Sequence, residues 1–286
     1  MSVAIIVTTY NSTRSLELTL HGLLAQTYKE FQVVVADDGS GPETKALLQE
    51  SRFTPLNILH VWQEDRGYRR QKIVNAAIKA SDAEYLIFID GDMVCRKDFV
   101  ESHLRYKKPG CYVSGGRPEI PQKIHEKFTP QLVDNQSVFD LGWYKKNGFE
   151  LNFKNCLKLS PPPLLIPILN FIGWRYAVFF GCNASAWKGD LLKINGFDES
   201  FMYGSDDRDV GVRLRNVGVR CRYKKYSFVA LHLGHSKPYR VRDKERANRK
   251  KMKRRYFDGT TWIDDGIVQN GVEQEPLLIT KIASSI

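Results

Sequence analysis

The chain has no Gly-x-Gly-x-x-Gly after its first apolar run and no Walker A loop anywhere. Both absences argue against a dinucleotide enzyme or an ATPase, because those proteins cradle phosphates on glycine-rich backbone. Five cysteines, Cys95, Cys111, Cys156, Cys182 and Cys221, are an odd number without a Cys-x-x-Cys pair. That disfavours a zinc site and a disulfide framework, and favours reduced thiols in a cytoplasmic protein. No basic leader precedes "MSVAIIVTTYNS", which runs into a polar turn, so a secretory leader is not expected. Uninterrupted apolar runs are also missing. The longest candidate, "PPPLLIPILNFIGWRYAVFFG" from Pro161 to Gly181, holds four prolines and Arg175. It reads as a buried or interfacial loop followed by a strand at "YAVFFG", with peripheral membrane contact as the lesser alternative.

What is present is an ordinary globular composition, 42% apolar and 26% charged over 286 residues. That length suffices for one large α/β domain or two small ones. The net charge of +11 is uneven. Eleven Lys or Arg face only Asp243 and Glu245 between Lys237 and Arg255, a net of +9 in that stretch. A solvated helical face is the plain reading. The sharper one is attraction to phosphate, on an anionic membrane rather than on nucleic acid, since apart from Tyr239 no aromatic is interleaved there to stack bases.

The first hundred residues alternate short apolar runs with helical periodicity. "VAIIVT", "FQVVVA", "LNILHVW" and "YLIFID" predict four strands. Between them, Leu16, Leu20, Leu23 and Leu24 behind Ser12, a segment opened by Pro42, and "IVNAAIKA" predict helices. This alternation implies a parallel sheet with right-handed crossovers, whose ligands sit beyond the carboxyl ends of the strands. Polar residues gather at those ends: Thr9, Tyr10 and Asn11; Asp37 and Asp38; Glu64 and Asp65; Asp90 and Asp92. One Asp-Gly is commonly just a turn. Four such clusters at one edge predict a shared crevice.

From Arg117 to Trp174 the pattern weakens into Pro-, Asn- and Lys-rich sequence with isolated aromatics, as in an insertion or lid over a substrate. Periodicity returns with Val210, Leu214 and Val217 on one helical face, placing Asp206 and Asp207 in a first turn. A last strand, "RYKKYSFVAL", is expected to end at His232 and His235.

Taken together, "VTTYN", "VVVADDGS", "QEDRGYRRQKIVNAAI", "IFIDGDM", "FFGCNASAWKGDLLKINGFDESFMYGSDDRDVGVRL" and "HLGH" resemble the inverting family 2 glycosyltransferases of GT-A fold. The later motifs resemble the part shared with β-1,4-galactosyltransferases and bacterial chondroitin-type polymerases. The resemblance spans most of Val3 to His235. It implies a GT-A domain over 1–236, with a mostly parallel, Rossmann-like central sheet flanked by helices. That domain would divide into a nucleotide half (1–100), an insertion (117–175) and an acceptor half (176–236), with a basic extension over 237–286.

The resemblance further implies that Asp90-Gly91-Asp92 holds a divalent cation on the diphosphate of a UDP-sugar, Asp92 as the direct ligand and Asp90 nearer the ribose. Two adjacent carboxylates repel unless a cation compensates them. His232 and His235 match the place of further ligands, and mixed oxygen and nitrogen donors suit manganese better than magnesium. By the same carry-over Thr9, Tyr10, Asp37, Asp38 and Asp65 border the uridine, and Arg69 approaches the diphosphate. Asp207 becomes the general base and Asp206 its neighbour on the acceptor hydroxyls. The plain alternative is that both acids stabilise a helix N-terminus, which is compatible. Two departures are Thr9 for a frequent proline, and Val74 for a frequent arginine before Asn75.

The implied reaction transfers a hexose or N-acetylhexosamine to a saccharide or lipid-linked saccharide, as in bacterial surface polysaccharide or lipooligosaccharide synthesis. The expected place is cytoplasmic, peripheral on the inner face of the cell membrane. The rival readings are a nucleotidyltransferase and a nucleic-acid-binding protein working through the basic stretch.

Overall fold

Seven residues, Val3–Thr9, are buried along their whole length because helices cover both faces of the sheet they enter. The computed structural model describes residues 1–172, 179–235, 240–269 and 276–282. Its strands are β1 (Val3–Thr9), β2 (Gln32–Asp37), β3 (Ile58–Trp62), β4 (Tyr85–Asp90), β5 (Met93–Cys95), β6 (Cys111–Ser114), β7 (Glu119–Ile120), β8 (Ala184–Trp187), β9 (Arg220–Tyr223), β10 (Ala230–Leu233) and β11 (Leu278–Lys281). The first helices are α1 (Thr13–Leu24), α2 (Pro42–Leu48), α3 (Arg70–Ala80) and α4 (Phe99–Tyr106). Then follow the short α5 (Gln122–His125), α6 (Pro130–Asp134), α7 (Leu141–Lys146), α8 (Phe153–Leu159), α9 (Ile166–Ile172) and α10 (Lys188–Lys193). Last come α11 (Asp206–Asn216) and α12 (Arg242–Asp258).

Eight strands form one sheet in the order β11-β3-β2-β1-β4-β8-β6-β9. The run β3-β2-β1-β4 is parallel, as the alternating pattern predicts; β8 and β11 enter antiparallel. Side chains alternate along each strand, so Ile5 and Val7 of β1 join a core with Leu16, Leu20 and Leu23 of α1, while Ala4 and Ile6 join one with α3 and α11. The result is a three-layer α/β architecture whose strand ends open on one edge.

A second sheet, β5-β10-β7, branches off just after β4 and puts His232 beside Met93. The isolated aromatics of the insertion have a packing role here: Phe128, Phe139 and Tyr144 fill a third core over this sheet with Val94, Leu231 and Leu233. The expected last strand is instead two, β9 and β10, separated by a turn where the Ser227 N–H donates to the Lys224 carbonyl.

The apolar tract is not the buried loop that one of its readings offered. Over Pro161–Ile172 it forms a tight turn and α9, leaving Leu164, Ile168, Phe171 and Ile172 well exposed, while Asn170 pins it to Ser227 and Tyr226. Most of the strand expected at "YAVFFG" (176–178) lies outside the described residues, and Phe179 and Phe180 are not in a strand. Among the described residues no helix is long and apolar enough to cross a membrane.

Residues 237–239 of the basic stretch also lie outside the described residues. The rest is helix α12, laid against α11. Arg255 reaches Asp209 at 2.9 Å and Asp198 at 2.6 Å, and Lys251 reaches Asp198 at 2.9 Å. Arg213 of α11 is fully buried, bonded to Asp209 at 2.7 Å and to the Ile194 and Gly196 carbonyls. After α12 the chain returns to add β11 to the edge of β3.

Candidate active site

The strand ends enclose a cleft of about 1220 Å³, and its floor is the turn after β4. There the Gly91 N–H donates to the Thr8 carbonyl at 2.7 Å. A Cβ on Gly91 would stand 3.0 Å from that oxygen and 3.2 Å from the Thr9 side chain, so the bend passes this close to β1 only without a side chain. Asp92 follows, and its carbonyl accepts the Leu233 N–H at 2.9 Å, which fixes β10 and its histidine beside it.

Asp92 Oδ2 lies 3.0 Å from His235 Nε2 and 3.5 Å from His232 Nε2. One ligand atom from each of the three lies within 4.8 Å of the others, a group able to hold a metal ion. Asp92 Oδ1 is buried with no hydrogen-bond partner. A buried carboxylate oxygen left so is costly unless something cationic completes it. One oxygen and two imidazole nitrogens form a donor set of the kind first-row divalent ions accept.

Asp90 is not part of that group. Its Oδ1 accepts the Thr8 hydroxyl at 2.7 Å and Arg70 Nη2 at 3.0 Å. Burial pushes its carboxyl up, but Arg70 and the Thr8 hydroxyl outweigh that and hold it below the ordinary range. The sequence reading makes Asp92 the direct ligand and sets Asp90 apart from it, nearer the ribose; here Arg70 supplies positive charge to Asp90. The same guanidinium lies 3.2 Å from Asp207 Oδ1 and 3.4 Å from Asp206 Oδ2, so three carboxylates converge on it.

Asp206 and Asp207 open α11, where the unpaired N–H groups of the first turn favour negative charge. Asp206 also accepts Gln71 Nε2 at 2.8 Å. Burial and the neighbouring Asp207 push its carboxyl up to about 7, against the pull of Arg70 and Gln71. Asp207 is the more open of the two, its side chain 29% exposed against 10%. Gly181 packs directly on it: a Cβ there would come 2.3 Å from Asp207 Oδ1 and 2.8 Å from Arg70 Nη2.

Of the other residues assigned from sequence, Thr9, Tyr10 and Asp38 line the cleft. Burial pushes the Asp38 carboxyl up to about 6, opposed by the Arg69 N–H and Gln63. Asp65 sits at the exposed rim and accepts the Tyr10 hydroxyl at 2.9 Å. Asp37 and Arg69 do not line the cleft. Asp37 is turned under the sheet edge, accepting His60 Nε2 at 2.9 Å and the Ser40 N–H at 2.8 Å. The Arg69 guanidinium donates to the Glu64 carbonyl.

Sequence reasoning missed Arg70, Gln71, Arg117 and the cleft-lining pair Tyr68 and Tyr203. "GYRRQK" offered the signal for the first two. Residues opening a helix that follows a strand end point toward the strand-end crevice.

A sheet-edge cleft that joins a candidate metal triad to a carboxylate pair on a helix N-terminus defines a GT-A type of protein, and solved structures share that fold. A mannosyltransferase from Pyrobaculum calidifontis, in complex with GDP-Man and Mn2+, superposes with a TM-score of 0.58 at 20% identity, covering 90% of this chain and 63% of that one. TarS of S. aureus, residues 1–349 in complex with UDP-GlcNAc, gives 0.58 at 17% identity over 88% and 65%.

The chain belongs to glycosyl transferase family 2, whose model matches residues 4–162. A second model, the N-terminal domain of galactosyltransferase, matches residues 170–236. Relatives include validoxylamine A glucosyltransferase of Streptomyces hygroscopicus, 29% identical over 76% of this chain and 52% of its own length. Chondroitin synthase of Escherichia coli is 27% identical over 76% and 32%, and hyaluronan synthase of Pasteurella multocida 30% over 76% and 23%. The chain thus spans about half the length of the first of these and a third or less of the other two.

Proposed function

We propose that the chain is a metal-dependent, inverting glycosyltransferase that moves a hexose or N-acetylhexosamine from a UDP-sugar to a saccharide acceptor. The observation that carries this reading is the position of Asp92, His232 and His235 in one cleft with Asp206 and Asp207. The UDP-GlcNAc of one structural neighbour and the hexose-named relatives support the donor class.

A divalent cation held by Asp92, His232 and His235, manganese before magnesium, would neutralise charge on the leaving diphosphate, worth several kcal/mol in a water-poor site. The chain's own residues do the rest. Asp207 accepts the proton of the acceptor hydroxyl as that oxygen attacks the anomeric carbon from the face opposite UDP, which inverts the configuration. A carboxylate is a weak base toward an alcohol, yet suffices when the proton leaves late. Arg70 and Gly181 fix its position, and Asp206 takes a hydrogen bond from the acceptor. Tyr10, Thr9 and Asp38 border the nucleoside. Lys250, Lys253 and Arg254, exposed and outside the cleft, support contact with an anionic membrane and a lipid-linked saccharide in surface polysaccharide or lipooligosaccharide synthesis.

The test is a screen of UDP-sugars with manganese, reading UDP release. One donor turns over, EDTA abolishes turnover, and His235→Ala lowers manganese affinity by about tenfold or more. Calorimetry that detects no binding of any uridine diphosphate compound with manganese present overturns the reading.

A further inference from the structure

Helix α12 divides into two ends with different duties. Toward its C-terminal end, Lys251 and Arg255 turn inward and are neutralised by Asp198 and Asp209. Toward its N-terminal end, Arg242, Arg246 and Arg249 follow i, i+4, i+7 spacing, so they share one helical face, and all three line the cleft. Arg208, directly after the Asp206–Asp207 pair, lines it too. Among the described residues no carboxylate lies within ion-pair distance of Arg208, Arg242 or Arg249, and Arg242 acts on Glu245 only from farther off. Arg246 has only Asp243 at 3.6 Å, both side chains at least 80% exposed. Glu245, the acid on that wall, is clamped by Arg240 at 2.6 and 3.0 Å. The wall therefore carries excess positive charge.

This row is held in place, unlike a loose tail. Asn248 Nδ2 donates to the Met202 and Tyr203 carbonyls at 3.1 and 3.3 Å, tying α12 to the loop that leads into Asp206. That loop presents Tyr203, edge to face with Tyr68 at 6.1 Å, and both rings line the cleft. Aromatic faces of this kind pack against sugar rings. A row of arginines beside them, about 10 Å from Arg242 to Arg249 along the helix, matches more than one anionic group on a chain. Guanidinium forks suit carboxylate and phosphate geometry.

We infer that the acceptor is an anionic glycan, one bearing phosphodiester or uronate groups that extend from the accepting hydroxyl along the Arg242–Arg246–Arg249 face. This deepens, and rests on, the glycosyltransferase reading. The donor diphosphate does not account for the row, because Asp92, His232 and His235 mark its place on the floor.

The test is calorimetric binding without donor, at about 50 and about 300 mM NaCl. Three probes are used: neutral chitohexaose, a hyaluronan hexasaccharide for carboxylate, and a glycerol phosphate hexamer for phosphate. The native protein binds one of the two anionic oligomers about tenfold tighter than chitohexaose, and salt erodes the difference. Which oligomer it is names the source of the charge. The variant R242Q/R246Q/R249Q loses that preference, while its Tm and its affinity for UDP with manganese stay within twofold of the native values. Equal binding of all three oligomers, or a triple variant that keeps the preference, overturns the inference. It also falls if the triple variant loses only its binding to phosphatidylglycerol vesicles, because the row is then a membrane contact. Loss of UDP binding by the native protein strikes the proposed function instead, a separate readout.

Discussion

Asp207 and Asp209 lie two residues apart on α11 and have opposite surroundings. A rotation of about 200° separates them, so one faces the cleft and the other the core. Asp209 is fully buried and receives two guanidinium groups, from Arg213 at 2.7 Å and Arg255 at 2.9 Å. Asp207 shares one guanidinium with Asp206 and Asp90 and stays partly open. On one face the negative charge is balanced within the protein. On the other it is left in excess, which is useful where a proton must be accepted and a cationic or sugar partner received.

Substitutions separate the two faces. Asp207→Asn keeps size and polarity, so UDP binding and Tm hold while sugar transfer falls by roughly 10²–10⁴; an Asn variant with near-native turnover removes Asp207 from the role of base. Asp209→Ala is the mirror image: about 3–5 kcal/mol of stability is lost, read by urea unfolding, because Arg213 is left buried without its carboxylate. Turnover per folded molecule stays near native, and a loss below about 1 kcal/mol would mean the buried network contributes little.

The smallest effect lies between the faces, at Asp206. Its folded carboxyl is raised to about 7, chiefly by burial and then by Asp207, above the ordinary 3.8. The folded state therefore holds a proton that the unfolded chain releases, and stability declines as pH rises through that window. Asp206→Asn removes this slope, so the variant gains on the native protein between pH 5 and 8, on the order of 1 to 3 kcal/mol. Asp38 titrates with the same sign in both proteins and cancels from the difference. Thermal melts across that range, with EDTA present, give the answer.

The fold was legible where periodicity was strong, in β1 to β4 and the helices between them. So was the site where several groups converge: Asp92 with His232 and His235, and Asp206 with Asp207. What escaped was orientation at single positions. Asp37 closes β2 and goes under the sheet to His60, while Asp38, in the bend just after the strand, enters the cleft. Adjacent residues at a helix start differ by about 100°, so Arg70 rather than Arg69 reaches the carboxylates. The place of α12 was hidden for another reason. Its packing rests on Arg255, Asn248 and Lys251 meeting residues some fifty positions earlier in the chain, and no local pattern records that.

The pairing of β11 with β3 bears on the protein's behaviour in crowded solution. A parallel sheet of four strands ending at β3 would offer its open backbone to any passing strand and seed self-association. Here that border is closed by a strand of four residues ending in Lys281, and the opposite border is the equally brief β9, carrying Arg220 and Arg222. Both margins are short and positively charged, so neighbouring copies repel one another where sheets would otherwise join.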